Sequence, residues 1–342
     1  MSDSSSLPMI RGSYQRSFTG TLTLIALRAA DPVLQYTLLE KGYAANALVR
    51  VGLLHPARTL ALGNGIGPVP TLLMGMYSVA ALRHCYWVTC TNDSTYFPPS
   101  ASLFVGGFNI AASTFNTFVA AYTLSKASHL LSTPVDNFEG WVSALGWHQW
   151  VGLGMFAAGI AIEIISEESR KAFKAKPENK GKVDDTGLFG FVRHPNYLGY
   201  LLWRCGMTLA TGSIPATITY GIFQFTQFAF SIPDLATYMG KKYGVQWTDY
   251  QRRVTSRMIP GIYRSTVAQV YLIYALVAIH LVLSIPLLSS LITDVEDVCL
   301  RSPNNEIEGM FKGSMFRLSH EALIGLHPRK KTFVSPSVYL AH

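Results

Sequence analysis

The chain has 342 residues, a formal net charge of +8, 49% hydrophobic residues and only 14% charged ones, with a mean hydropathy of +0.24. A chain this apolar cannot cover its surface with polar groups in water, which excludes a disordered regulator, a collagen-like rod and a disulfide-stapled secreted module and points to a membrane protein. The basic excess falls between apolar stretches, as cytosolic membrane loops do, and gives no reason to expect nucleic acid.

In chain order, a polar, serine-rich start reaches Arg11 and Arg16 without a cleavable apolar core, so the first apolar segment is expected to remain as an anchor. A helical span needs about 20 apolar residues. Such stretches fall near 20–38, 69–90, 101–124, 146–165, 197–213, 215–232 and 268–292. The expectation is an all-α, polytopic membrane bundle of six to seven transmembrane helices, with cytosolic cofactor-binding loops. Arg50, His55, Pro56 and Arg58 make 44–62 an interfacial or re-entrant helix in place of a clean span. Gly63-Asn64-Gly65-Ile66-Gly67 reads as a turn between helices, because Pro68 follows it and no strand precedes it. Cys85, Cys90, Cys205 and Cys299 show no metal-ligand spacing, and no metal site is expected.

Two basic segments, 166–194 and 233–267, are read as long loops that a helical pair turning at Gly212-Ser213-Ile214-Pro215 returns to one membrane face. The organisation follows: N-terminal substrate-side helices over 1–145, a cofactor-binding membrane domain over 146–265, a last helix over 266–292 and a flexible tail over 293–342.

The run Asp185-Thr186-Gly187-Leu188-Phe189-Gly190-Phe191-Val192-Arg193-His194-Pro195-Asn196-Tyr197-Leu198-Gly199-Tyr200 is the densest in chemistry. Pro195 suits the first turn of a helix, and Arg193 with His194 offers donors just outside it. Asn196, Tyr200 and Arg204 then recur at i, i+4 and i+8, a polar stripe that carries Arg204 roughly 12 Å inward. A guanidinium at that depth needs a partner or a wet cavity, and Glu163, alone within its span, is the expected ion-pair partner. Asn109, Ser113 and Asn116 form a polar seam on the 101–124 helix, open to bonding either neighbouring helices or a substrate hydroxyl or carbonyl. Tyr243, Trp247, Tyr250 and Val254 give one aromatic face to a further helix.

These residues carry a resemblance. The stretch Lys174 to Gly199, with Pro177, Asn179, Lys182, Asp185 and Arg193-His194-Pro195-Asn196-Tyr197, resembles the C-terminal signature of the steroid 5-alpha-reductase and sterol-reductase superfamily. Lys242-Tyr243-Gly244, Trp247, Tyr250, Arg253-Val254 and Arg257 to Tyr263 are similar to the ending of sterol reductases. The superfamily also contains isoprenylcysteine and phospholipid methyltransferases that use S-adenosylmethionine and share an Arg-His-Pro-x-Tyr element. Tyr200 stands where the reductases carry an acidic residue and where the methyltransferases often carry a bulky aromatic one. The paired Glu of the methyltransferases before the final helix is absent.

The resemblance implies a membrane-bound, NADPH-dependent reductase of a carbon-carbon double bond in a sterol-like or other lipophilic metabolite, at the endoplasmic reticulum. A methyltransferase of a lipid or prenylated acid is the alternative, and a non-catalytic membrane scaffold the third reading. For the reductase, Lys174, Lys182, Arg193 and Arg253 would hold phosphates, with Asn179, Asp185, His194, Asn196, Tyr197, Tyr238 and Tyr243 completing the cofactor site. Tyr200 would be the proton donor, with Arg204 and Glu163 as its catalytic neighbours.

Overall fold

The computed structural model describes residues 10–13, 15–55, 67–92, 95–126 and 138–261, with Ala275 and Val277 beyond them. A short strand β1 (Ile10–Arg11) precedes helices α1 (Phe18–Glu40), α2 (Tyr43–Arg50) and α3 (Pro68–Tyr86). A π-helical turn, Trp87–Thr91, leads to β2 (Thr95–Tyr96), then α4 (Pro99–Lys126) and α5 (Phe138–Ser143). After α6 (Trp147–Ala175) come two 3-10 turns, Pro177–Asn179 and Gly187–Gly190, and then α7 (Pro195–Ala210), α8 (Ile214–Tyr243) and α9 (Val245–Arg253). Helix is the dominant structure, as expected; β1 and β2 pair antiparallel, with Ile10 opposite Tyr96 and Arg11 opposite Thr95.

Local chemistry sets the helix starts. Ser17 caps α1 by accepting from the Gly20 amide at 3.0 Å, and Ser213 caps α8 through the Ala216 amide at 3.2 Å. Pro195 occupies the first turn of α7, where its missing N–H costs nothing.

The closest packing in the bundle is α6 against α7, and glycine permits it. A Cβ on Gly159 would lie 2.4 Å from the Trp203 amide nitrogen, and one on Gly199 2.7 Å from the Glu163 nitrogen. Gly152 and Gly206 oppose each other in the same way, each 2.6 Å from the other's carbonyl oxygen. Four small residues let two helix backbones touch, the device membrane helices use where hydrophobic burial against lipid gives little drive.

Two expectations need correction. Residues 166–194 do not form one loop, because α6 runs on to Ala175 before Pro177 stops it. The first turns beyond the apolar stretch are helical because Glu167 and Arg170 pair at i, i+3 with 2.5 Å between nitrogen and oxygen. Residues 233–267 likewise begin as helix: α8 continues through Pro233 to Tyr243 and ends at Gly244, whose φ is 55°.

Among the described residues, α4 and α6 are long and apolar enough to cross a membrane, with mean hydropathies of 1.3 and 1.5. The chain is a membrane protein on these helices and on its relatives, given below. In α1 the apolar run is broken by Arg28, Asp31 and Gln35, all buried inside the bundle. The expected last span 268–292, apart from Ala275 and Val277, and the tail 293–342 lie outside the described residues, as does the Gly63–Gly67 turn except for Gly67.

Candidate functional site

The two basic segments meet at one end of the bundle. The Gln246 amide oxygen accepts from the Val183 amide at 3.4 Å, and the Tyr250 hydroxyl donates to the Phe189 carbonyl at 2.8 Å. Arg193 and His194 donate backbone N–H to the carbonyls of Ser256 and Arg257 at 3.1 and 2.9 Å. The expected aromatic face of α9 forms this seam: Trp247, Tyr250 and Val254 are buried against Val183, Ala236, Met239 and Tyr243. Burial pushes the Tyr250 phenol well above its ordinary pKa, so it stays a donor.

Beside the seam lies a cavity of about 270 Å³. Helix α6 contributes Glu167, Arg170 and Lys174; the segment leading into α7 contributes Asp184, Phe189, Arg193 and His194; α7 itself gives Asn196 and Tyr197. Helices α8 and α9 close it with Tyr238, Lys242, Tyr243, Trp247 and Tyr250, and Gly12, Trp87 and Thr95 reach it from the other side.

Glu167 is held rigidly here. Its carboxylate accepts from Arg170 at 2.5 Å and from the Asn196 amide at 3.0 Å, and the residue is 8% exposed. Asp184 accepts the Thr186 hydroxyl and amide at 2.8 and 3.1 Å through one oxygen, and its other oxygen is buried without a hydrogen bond. The His194 ring stacks on Tyr197 with centroids 5.4 Å apart, and Tyr197 stacks in turn on Phe228 at 5.0 Å. Burial, then the charges of Arg193, Arg170 and Arg257, lower the His194 pKa to about 3, so the imidazole is neutral at physiological pH.

Seven of the expected cofactor residues line this cavity: Lys174, Arg193, His194, Asn196, Tyr197, Tyr238 and Tyr243. Four do not. Asn179 donates to the Phe173 carbonyl at 3.0 Å, capping the end of α6. Lys182 is exposed, and Arg253 and Asp185 form a surface ion pair with each other at 2.7 Å.

Tyr200, Arg204 and Glu163 lie deeper, outside the cavity wall. Arg204 donates to the Tyr200 hydroxyl at 3.2 Å and to the Asn109 side chain. The expected Glu163–Arg204 ion pair does not form. Glu163 instead accepts from the Trp203 indole at 2.6 Å and faces Arg83 at 3.5 Å, because Trp203 and Arg204, adjacent on a helix, point to different neighbours. The seam of α4 bonds other helices: Ser113 donates to Asp31 at 2.8 Å, and the Thr208 hydroxyl donates to Asn116 at 2.9 Å.

Sequence reasoning missed Glu167, Arg170, Asp184 and Lys242 as cavity residues. A signal existed on α6, where Gly159, Glu163, Glu167, Arg170 and Lys174 follow at i, i+4, i+8, i+11 and i+15, a single helical face. Ending the helix where apolarity ends hid it.

A family described as a protein of unknown function, DUF1295, matches residues 109–254. A probable O-methyltransferase, ustE, of Ustilaginoidea virens is 28% identical over 248 residues, covering 68% of this chain and 82% of that protein. Protein-S-isoprenylcysteine O-methyltransferase B of Arabidopsis thaliana is 27% identical over 116 residues, 34% of this chain and 58% of that one. Human 3-oxo-5-alpha-steroid 4-dehydrogenase 2 is 25% identical over 150 residues, 44% and 54% respectively. The chain thus spans about half the length of the latter two relatives. The matched region contains the cavity's α6, α7, α8 and α9 walls, and the chain is similar both to isoprenylcysteine O-methyltransferases and to 3-oxo-5-alpha-steroid 4-dehydrogenases, the two branches of the superfamily that its motifs resemble.

Proposed function

We propose that the protein is an S-adenosylmethionine-dependent methyltransferase acting on an oxygen of a lipophilic molecule at the cytosolic surface of an internal membrane, the endoplasmic reticulum. In this reading α1, α3, α4, α6, α7 and α8 cross the bilayer. The observation that carries it is the cavity's size and charge. At about 270 Å³ it falls just below the usual range for ligand pockets, roughly 300–1,000 Å³, which suits a mononucleoside better than a dinucleotide. Its wall also holds two carboxylates, Glu167 and Asp184, among four cations. A zwitterion needs both signs; the phosphates of a dinucleotide need cations alone.

The residues present fit such a molecule. The unbonded Asp184 oxygen and the fixed Glu167 carboxylate would receive positive charge, while Lys174 and Arg193 would receive a carboxylate. Tyr238, Tyr243 and Trp247 offer ring faces to a purine. S-adenosylmethionine, when bound, supplies an electrophilic methyl group on a sulfonium. His194, kept neutral, adds no repulsion beside that charge. The seam of α9 against 183–194 excludes water from the cavity's edge. The similarity to the fungal O-methyltransferase, which covers 68% of this chain and 82% of that protein, supports the same reading.

The NADPH-dependent reductase is the second reading, favoured by the cations Arg170, Lys174, Arg193 and Lys242 around one cavity and by the steroid dehydrogenase match. Thermal stability of the purified protein in detergent separates the two. S-adenosylmethionine or S-adenosylhomocysteine should raise the melting temperature and NADPH should not; a response to NADPH alone overturns the methyltransferase in favour of the reductase.

A further inference from the structure

One part of the cavity wall comes from outside helices α6 to α9. Gly12, Trp87 and Thr95 form it. Trp87 and Thr95 belong to the corner between α3 and α4, and Gly12 follows directly on β1. Pairing of Arg11 with Thr95 sets Gly12 beside that corner. From there Gly12 also reaches α8, because a Cβ on it would lie 3.1 Å from the Tyr238 hydroxyl oxygen. The chain before α1 therefore bridges the α3–α4 corner and α8 across the cavity.

The bridge is held more lightly than what it rests on. Lys171 of α6 donates to the Cys90 carbonyl at 2.7 Å and the Thr91 hydroxyl donates to Glu168 at 2.6 Å, which ties the corner to α6. Trp87 packs edge-on against Phe97 at 5.9 Å, and Ser17 is fixed by its cap bond to Gly20. Among the described residues, the segment 10–16 is held by its two-residue ladder and by Arg16, which donates to the Thr89 carbonyl at 3.2 Å. Strand pairs this short are marginal in water, and a segment with few buried contacts opens at a fraction of the free energy of global unfolding. The other walls are helices locked by the glycine contacts of α6 with α7 and by the buried seam of α9. Gly12 itself suits a covering residue: its φ of 76° strains any side chain, and without one the backbone comes close to Tyr238.

We propose that residues 10–16 are a strap that closes over the ligand, with the Gly12 backbone against its outer face, and that the strap lifts for the ligand to enter and leave. The identity of the ligand rests on the methyltransferase reading. A methyl donor and its demethylated product exchange once per turnover, and a lifting outer wall passes both while the helices carrying Glu167 and Arg170 stay in place.

Trypsin reads the strap directly in the purified full chain in detergent, because Arg11 and Arg16 lie within it, whereas the exposed Lys180 lies in another segment. S-adenosylhomocysteine at about 100 times its dissociation constant should slow cleavage after Arg11 and Arg16 roughly tenfold or more, and cleavage after Lys180 much less. Binding without that slowing, or with equal slowing at Lys180, overturns the strap. Gly12→Val should release S-adenosylhomocysteine roughly tenfold faster in stopped-flow displacement and bind it correspondingly more weakly, the scale of one lost contact. A lowered melting temperature of the ligand-free protein with an unchanged release rate would mark Gly12 as structural only and overturn the proposal. Should Gly12→Val fail to fold, the wild-type cleavage pattern decides. Protection of Arg11 and Arg16 by NADPH, with no response to S-adenosylhomocysteine, would sink the methyltransferase reading and leave the strap standing.

Discussion

Gly159→Ala tests whether backbone contact between α6 and α7 builds the site. The added Cβ would sit 2.4 Å from the Trp203 nitrogen, 2.6 Å from the Gly199 oxygen and 2.9 Å from the Trp203 Cβ. The first two are backbone atoms in the middle of a helix, and neither can swing aside. Ordinary van der Waals contact begins at 3.4 Å, so the helices must part by roughly 1 Å, enough to forfeit a quarter to a half of the dispersion well along the contact. Overpacking of this kind costs about 2–3 kcal/mol, or roughly 4–8 °C in melting temperature. The same separation strains the Trp203–Glu163 bond of 2.6 Å and the Asn196–Glu167 bond of 3.0 Å, so ligand affinity should fall with stability. Cys205, 8% exposed on α7 and packed against α8, is a built-in reporter of how α7 is held: with Cys85, Cys90 and Cys299 replaced by Ser, a thiol-reactive dye reads the loosening of α7 on heating. A Gly159→Ala protein that melts with the wild type and keeps Cys205 protected would refute the close-contact argument.

Glu167→Gln keeps the shape of the cavity wall but removes its fixed negative charge, and binding of S-adenosylhomocysteine, measured by calorimetry, should weaken roughly tenfold or more. His194 has its pKa lowered from 6.5 to about 3, so the folded protein refuses a proton that the unfolded chain accepts. Stability from this residue is complete above pH 6.5 and is lost as pH falls from there towards 3; His194→Gln should flatten that part of a melting-temperature profile. Arg253→Ala breaks a pair whose partners are 65 and 34% exposed and should cost no more than about 1 kcal/mol, with cofactor binding unchanged in the same calorimetric assay. A clear loss of binding would return Arg253 to the site.

How much of this was legible depended on the kind of signal. Apolar stretches near 20–38, 69–90, 101–124, 146–165, 197–213 and 215–232 all became helices, because burial and backbone satisfaction leave a long apolar segment few alternatives. The helix ends were not legible where charge replaced apolarity, since pairs such as Glu167 with Arg170 sustain a helix that hydropathy has already ended. Arg193, His194, Asn196 and Tyr197 of the motif line the cavity, with Pro195 in the first turn of α7. Partner choice was hidden. Whether Glu163 meets Arg204 or Arg83 depends on how α3 packs against α6 and α7, and no single segment encodes that.

The Arg83, Glu163 and Trp203 arrangement connects the two levels of the molecule. Trp203 Nε1 donates to one oxygen of Glu163 at 2.6 Å while the other oxygen faces Arg83 at 3.5 Å, and the glycines of α6 and α7 bring the indole close enough to do so. Helix α6 therefore carries two carboxylates with different tasks on one face: Glu167, bonded by Arg170 and Asn196, sets negative charge at the cavity wall, while Glu163, one turn deeper, is shared between the Trp203 indole and Arg83 and ties α3 to α6 and α7.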